Sequence, residues 1–229
     1  MGHTVRIASY NLRDLKDDTE AAARVIRAIN PDVLCLQEVP RHPLSSYRIA
    51  SFAAQCGLYW SAGHTGSGGT TVLSSLRVDG ADARHTSLRV ARFQRERGYA
   101  VSRVRLPGHQ PVSVVSVHLS LQAPERATHM ATVLASIPAY APLVVAGDLN
   151  EGVDGLAWAA LARRLRVVTG DAPTFPAANP HHRIDVIFAS PALSAGPGGP
   201  VDLDLADLSA ATDHLPVWAD LDLSTLALV

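Results

Sequence analysis

The stretch APLVVAGDLNEG, residues 141–152, decides how the chain is read. Leu143 to Gly147 have the apolar, β-branched composition of a strand buried on both faces. With no polar transition the run then meets Asp148 and, across Leu149, Asn150. On an extended segment residues two apart face the same side, so the two are expected to aim together.

Other segments repeat the pattern. VRIASYN (5–11) stops at Asn11, DVLCLQE (32–38) at Gln37 and Glu38, and PVSVVSVH (111–118) at His118. In RIDVIF (183–188) Asp185 interrupts an apolar run near its start, and ATDHLPVW (211–218) places Asp213 and His214 just before the final strand. Any one of these is ordinary turn chemistry, since Asn and Asp favour strand ends. Together they collect hard oxygen donors and two imidazoles, the inventory for Mg²⁺ or Mn²⁺ beside a phosphate. Structural zinc would ask for closely spaced Cys and His instead.

The rest of the chain supplies the frame. TEAAARVIRAINPD (19–32) carries Ala22, Val25, Ile26 and Ile29 on one helical face and is stopped by Asn30-Pro31. Further helices are expected over 45–55, 124–137 and 155–165. Strands are expected at 58–62, 70–78, 83–90, 98–106, 111–119, 183–190 and 216–223. Residues 63–69 read as a glycine-rich loop and 196–199 as a loop rather than a linker. Strands outnumber helices and the helices are interspersed, which suits two packed sheets with helices outside. There is no internal repeat, and one domain over residues 1–229 is expected.

Composition narrows the partners. The 229 residues are 47% hydrophobic, enough for one sizeable core, and carry a net charge of −1. No global positive field advertises tight binding to long nucleic acid. Lys16 is the only lysine, so nearly all positive charge is arginine, the residue suited to bidentate phosphate contacts. Cys35 and Cys56 make no disulfide framework, and Cys35 reads as a small core residue. MGHTVRIASYNL enters a strand without a leader pattern, and no apolar run has membrane-spanning length. A cytoplasmic monomer without a membrane segment is expected.

In order, SYNL, LCLQEV, SVVSVHLS, VVAGDLN, RIDVIF and TDHLPV closely resemble the signatures of the endonuclease/exonuclease/phosphatase superfamily, and they span residues 9 to 217. The resemblance implies an α/β fold, a four-layer α/β/β/α sandwich of two mixed β-sheets flanked by helices, with the site at one end. It implies a divalent-metal-dependent phosphoester hydrolase, a phosphodiesterase or phosphatase, with in-line attack of water and Mg²⁺ or Mn²⁺ as cofactor. A DNA or RNA nuclease of the same superfamily is the alternative. A catalytically silent binding protein on this fold is a third reading, since fold alone does not fix function.

By the same resemblance Glu38 is the principal metal ligand, with Asn11 and Asp213 completing the metal's surroundings. Gln37, next to Glu38 on the strand, should point the other way. Asp148 orients or deprotonates water, Asn150 binds a phosphate oxygen, and His118 donates to one. His214 contacts the scissile phosphate, and Asp185 holds its imidazole in one tautomer, an ion pair to Arg183 being the structural alternative for Asp185. Which of Asp148 and His214 is the base stays open. Two departures stand out: Asp14 lies one position later than the family's additional acid, and Ser75 stands where arginine is common. Residues 84–105 hold seven arginines against one acid, Glu96, and could grip a polyanion or only face solvent. Aromatics are only 5%, leaving few stacking platforms for single strands. The substrate expected is a phosphoester, a small molecule or nucleic acid, with the small molecule favoured.

Overall fold

A computed structural model of the chain describes residues 2–61, 66–80 and 83–228. Residues 63–65 of the expected glycine loop, and Ala62 of the strand expected at 58–62, lie outside them. Within that span Tyr59 makes a single bridge to Ser74.

Alternation along the first strand sets up the layers. In β1 (Thr4–Asn11) Val5 and Ile7 face one way and Ala8 and Tyr10 the other, and both sets are buried. A strand buried on both faces needs cover on both. One side is covered by a second sheet, the other by helices.

The remaining strands follow in chain order. They are β2 (Val33–Gln37), β3 (Thr71–Ser74), β4 (Asp79–Gly80), β5 (Arg84–Leu88), β6 (Arg97–Arg105) and β7 (Val112–His118). Then come β8 (Leu143–Asp148), β9 (Arg166–Val167), β10 (Asp185–Ala189), β11 (Ser194–Pro197) and β12 (Val217–Asp222). One sheet has the order β11-β12-β1-β2-β3; the other runs β4-β6-β7-β8-β10-β9, with β5 also on β6. Each is mixed, with β1–β2 and β7–β8 parallel and the other pairs antiparallel.

Among the described residues five α-helices lie outside: α1 (Thr19–Ile29), α2 (Ser45–Gln55), α3 (Ala123–Ala135), α4 (Leu156–Ala162) and α5 (Leu205–Ala211). Asp18 caps α1 by accepting from the backbone N–H groups of Glu20 and Ala21, and Asn30 ends it in the left-handed region. One apolar cluster fills the space between the sheets, with Ile7, Val33, Val114, Val144 and Ile187 in it. A second lies under α1 and α2 and includes Ala211 of α5; a third lies under α3 and α4. The result is the four-layer α/β/β/α sandwich.

The structure corrects one expectation and adds one helix that had not been expected. Gly196 and Pro197 belong to β11, an edge strand antiparallel to β12, rather than to a loop. Its sequence, SAGP, has no strand signal of its own; the ladder to β12 imposes the conformation. Residues 205–211 form α5, whose capping residue Asp204 accepts from Ala206 and Asp207. Among the described residues no helix is long and apolar enough to cross a membrane.

Candidate active site

Register brings the polar strand ends together. Asp148, the last residue of β8, sits opposite His118 on one side and Asp185 on the other. Asn11 at the end of β1 reaches across from the facing sheet, and its Nδ2 donates to Asp148 Oδ2 at 3.1 Å. His118 Nε2 lies 3.5 Å and His214 Nε2 3.8 Å from that same oxygen. Asp148, Asp185, His118, His214 and Asn11 are all buried.

His214 is held from behind. Its Nδ1 lies 2.9 Å from Asp185 Oδ2. A carboxylate can only accept, so Nδ1 carries the proton and Nε2 faces Asp148. Asp185 Oδ2 also accepts from the Thr174 hydroxyl at 2.6 Å, and Thr174 Oγ1 accepts from the Asp185 N–H at 3.2 Å. Phe175 lies against the imidazole, with ring centroids 4.7 Å apart. Arg183 pairs with Asp171 instead of Asp185.

Glu38 lies just past β2 with φ +50, in the left-handed region that turns it out of the strand. Its Oε2 meets Arg95 at 2.8 Å, while Oε1 faces His118 Nε2 at 3.9 Å. Arg95 also donates to Asp14 at 2.6 Å. Gln37 points between the sheets, its Nε2 donating to Ser116 and the Cys35 carbonyl and its Oε1 accepting from the Ser9 hydroxyl, so that its amide is fully used. Asp213 stands at the rim, 37% exposed, 3.5 Å from Arg13 Nε.

The expectation for Asn150 needs its geometry corrected. β8 ends at Asp148, and Asn150 has φ +52, so strand alternation no longer applies there. A turn links the two instead: the Asn150 N–H donates to Asp148 Oδ1 at 2.8 Å, and its Nδ2 donates to the Leu119 carbonyl at 2.9 Å. The same carbonyl accepts from Nε of Arg97, a buried guanidinium.

Charge in this pocket is unevenly balanced. Burial and the neighbouring Asp185 charge push the Asp148 carboxyl up to about 7. Burial works against the charged form of His214, but Asp185 outweighs it and raises the imidazole to about 9. His118 is held well below its ordinary value, first by burial and then by Arg97 and His214. His118 Nδ1 and Asp185 Oδ1 are buried and have no hydrogen-bond partner among the described residues.

The donor set fits a hard divalent cation. Glu38 Oε2 is paired with Arg95 while Oε1 faces His118 Nε2 at 3.9 Å, and Asp148 is a buried carboxylate raised by desolvation and by the Asp185 charge. Both thiols lie in apolar clusters elsewhere, and burial pushes Cys56 up to about 12, so neither is a ligand. Asp148, Asp185 and His214 also offer ligand atoms within 4.8 Å of one another. There, however, Asp185 Oδ2 and His214 Nδ1 are spent on each other, which favours the Glu38 side for an ion.

Sequence reasoning missed Thr174 and Phe175, set Asp14 aside as out of register, and did not separate Arg95 from the other arginines of residues 84–105. Nothing in APTFP marks Thr174, because its role depends on a strand it reaches only through the fold. Of the seven arginines, Arg95 and Arg97 turn inward, whereas Arg105 pairs with Asp79 and Arg92 lies over Phe93. Ser75 bonds Asp32 at the far end of β2.

Several solved structures share the fold. An endonuclease/exonuclease/phosphatase from Beutenbergia cavernae DSM 12333 aligns with TM-score 0.75 at 24% identity, covering 96% of this chain and 72% of that one. A mannosyl-6-phosphatase from Bacteroides thetaiotaomicron VPI-5482 aligns with TM-score 0.74 at 15% identity, covering 95% and 99%. TDP2 of D. rerio, complexed with a single-strand DNA product, aligns with TM-score 0.71 at 18% identity, covering 95% and 98%. No curated protein matches the chain. The Endonuclease/Exonuclease/phosphatase family model matches residues 8–214, from the middle of β1 to His214 itself. Strand ends, site and matched span coincide, and the chain belongs to the Endonuclease/Exonuclease/phosphatase family.

Proposed function

We propose that this protein is a divalent-metal-dependent phosphoester hydrolase, a phosphodiesterase or phosphatase, that uses in-line attack by water. The observation that carries the reading is the convergence on one oxygen. Asp148 Oδ2 lies within 3.8 Å of Asn11, His118 and His214, and His214 is braced by Asp185.

Glu38 would hold the ion, with Asn11 and Asp213 completing its surroundings. Bound Mg²⁺ or Mn²⁺ supplies concentrated positive charge against the phosphoryl oxygens. The chain's residues divide the remaining work. Asp148, raised to about 7, is matched to accept the proton of the attacking water near neutral pH. His214, raised to about 9, is a cation at that pH and serves as a donor to a phosphoryl oxygen rather than as the base. Neutral His118 donates a second hydrogen bond. Asn150, fixed by its own N–H and by Leu119, presents its carboxamide beside the same phosphate. The new P–O bond forms as the ester P–O bond breaks, and no covalent enzyme intermediate is required.

The reading takes residues 1–229 as one domain, monomeric and cytoplasmic. Its test is a hydrolysis panel with Mg²⁺ or Mn²⁺: bis-p-nitrophenyl phosphate, p-nitrophenyl phosphate, plasmid, abasic duplex, sphingomyelin and inositol phosphates. Loss of diester or monoester hydrolysis in Glu38→Ala and His214→Ala is expected. Activity that survives both substitutions would refute the assignment.

A further inference from the structure

A cleft of about 620 Å³ opens beside Glu38. It is lined by four cations, Lys16, Arg41, Arg48 and Arg95, against two acids, Asp14 and Glu96. Arg95 joins it to the reaction centre, because the guanidinium that lines the cleft also touches Glu38 at 2.8 Å. The four cations come from three separate stretches: the turn after β1, the segment from β2 into α2, and the loop before β6.

Their pairing leaves charge to spare. Arg41 meets Glu96 at 3.0 Å, but that carboxylate is 77% exposed, so the pair is weak and readily exchanged. Lys16 shares Asp14 with Arg95. Arg48 makes no salt bridge to a carboxylate among the described residues: one guanidinium nitrogen donates to the Leu15 carbonyl at 2.9 Å, and another lies 3.2 Å from His42 Nε2. A guanidinium held in place by a backbone carbonyl, with no carboxylate paired to it among the described residues, is prepared for an anion.

We infer that this cleft is a subsite for a second phosphate of the substrate, so that the enzyme acts on phosphoesters bearing another phosphate beyond the scissile one. This rests on the hydrolase reading above and deepens it. A second phosphate could come from a nucleic acid backbone or from a bisphosphorylated small molecule; the chemistry recognised is the same.

The experiment compares matched substrates in two arms at fixed Mg²⁺. One arm uses thymidine 5′-(p-nitrophenyl phosphate) with and without a 3′-phosphate; the other uses a hexose 1,6-bisphosphate and the corresponding monophosphates. In at least one arm, wild-type kcat/KM is expected to favour the second phosphate by about tenfold or more, the scale of one charge-assisted contact. Arg41→Ala/Arg48→Ala should bring that ratio close to one. Arg164→Ala, whose guanidinium only bonds the carbonyls of Ile137 and Pro138, should leave it unchanged. The arm that shows the preference identifies the source of the phosphate. Absence of a preference in both arms, or a preference that survives the double substitution, overturns the subsite. If wild type hydrolyses neither member of either pair, nor bis-p-nitrophenyl phosphate, the hydrolase reading itself fails and the subsite falls with it. Circular dichroism melts of the variants separate loss of recognition from loss of fold.

Discussion

Replacing Asp185 by Asn tests the division of labour between the two acid–base groups. Asp185 is buried, and its Oδ2 lies 2.9 Å from His214 Nδ1. Its charge is what lifts the imidazole to about 9 in spite of burial. Without that charge burial opposes only the weaker pull of Asp148 and Asp213, and the imidazole should fall to its ordinary value of about 6.5. That drop corresponds to about 3 kcal/mol at 1.36 kcal/mol per pH unit. At pH 8, His214 would go from about 90% protonated to about 3%, a loss of roughly 30-fold in the active form from protonation alone. The assay is kcat/KM against pH on bis-p-nitrophenyl phosphate with saturating Mg²⁺. Wild type should gain activity as Asp148 loses its proton near pH 7 and decline as His214 loses its own above about 9; in Asp185→Asn the alkaline decline should begin below pH 7. Nitrogen chemical shifts of the His214 ring give the same titration without turnover. The linkage to stability has the same sign. A histidine with a raised folded value adds stability fully below about pH 6.5, and loses it as the pH rises through about 9. An alkaline limb that does not move in Asp185→Asn, or a wild-type decline that begins near pH 7, would refute a protonated His214 as the working form.

Glu38→Gln should reduce activity at fixed Mg²⁺ by at least the 10–100-fold typical of disturbing a metal's surroundings, and raise the Mg²⁺ concentration giving half-maximal thermal stabilisation. Thr174→Val removes the 2.6 Å bond to Asp185 and should lower stability by about 1.5–3 kcal/mol, as read by urea unfolding, with a several-fold loss of kcat. Gly147→Ala should be among the most damaging single changes. At φ +153 its Cβ would overlap the Val117 carbonyl oxygen of the neighbouring strand. A cost of about 3 kcal/mol or more, seen as a fall of roughly 6–12 °C in Tm, is expected.

The strand ends were legible because burial on both faces is a strong sequence signal, and although one polar residue ending such a run is ordinary turn chemistry, several in one chain with metal- and phosphate-binding side chains are not. Asn11, His118, Asp148 and Asp185 fall at or next to the ends of strands for that reason. Edge elements were less legible. SAGP in β11 has neither β-branched side chains nor alternation, and only its ladder to β12 makes it a strand. The supporting shell was least legible of all. Thr174, Arg95 and Phe175 act on partners 11, 57 and 39 positions away, through contacts with Asp185, Glu38 and His214 that no local pattern encodes. Asn150 shows a subtler failure: it lies in a turn at φ +52 past the end of β8, where the alternation behind the expectation no longer operates.

The placement of Asp148 opposite Asp185 ties the fold to the chemistry. Two carboxylates directly paired across β8 and β10, both buried, repel each other and are costly to desolvate. Hydrogen bonds from Asn11, the Asn150 N–H and Thr174 offset part of that cost without adding positive charge. His214 adds the first positive charge, lying between the two at 2.9 and 3.8 Å. Protonated, it leaves one negative charge on the pair, and Asp148, raised to about 7, is where that deficit shows. A site arranged in this way is stabilised by any cation that approaches from the open side, where Glu38 stands. The instability that three apolar clusters must offset during folding is therefore the same electrostatic demand that would draw a metal–phosphate pair into the cleft.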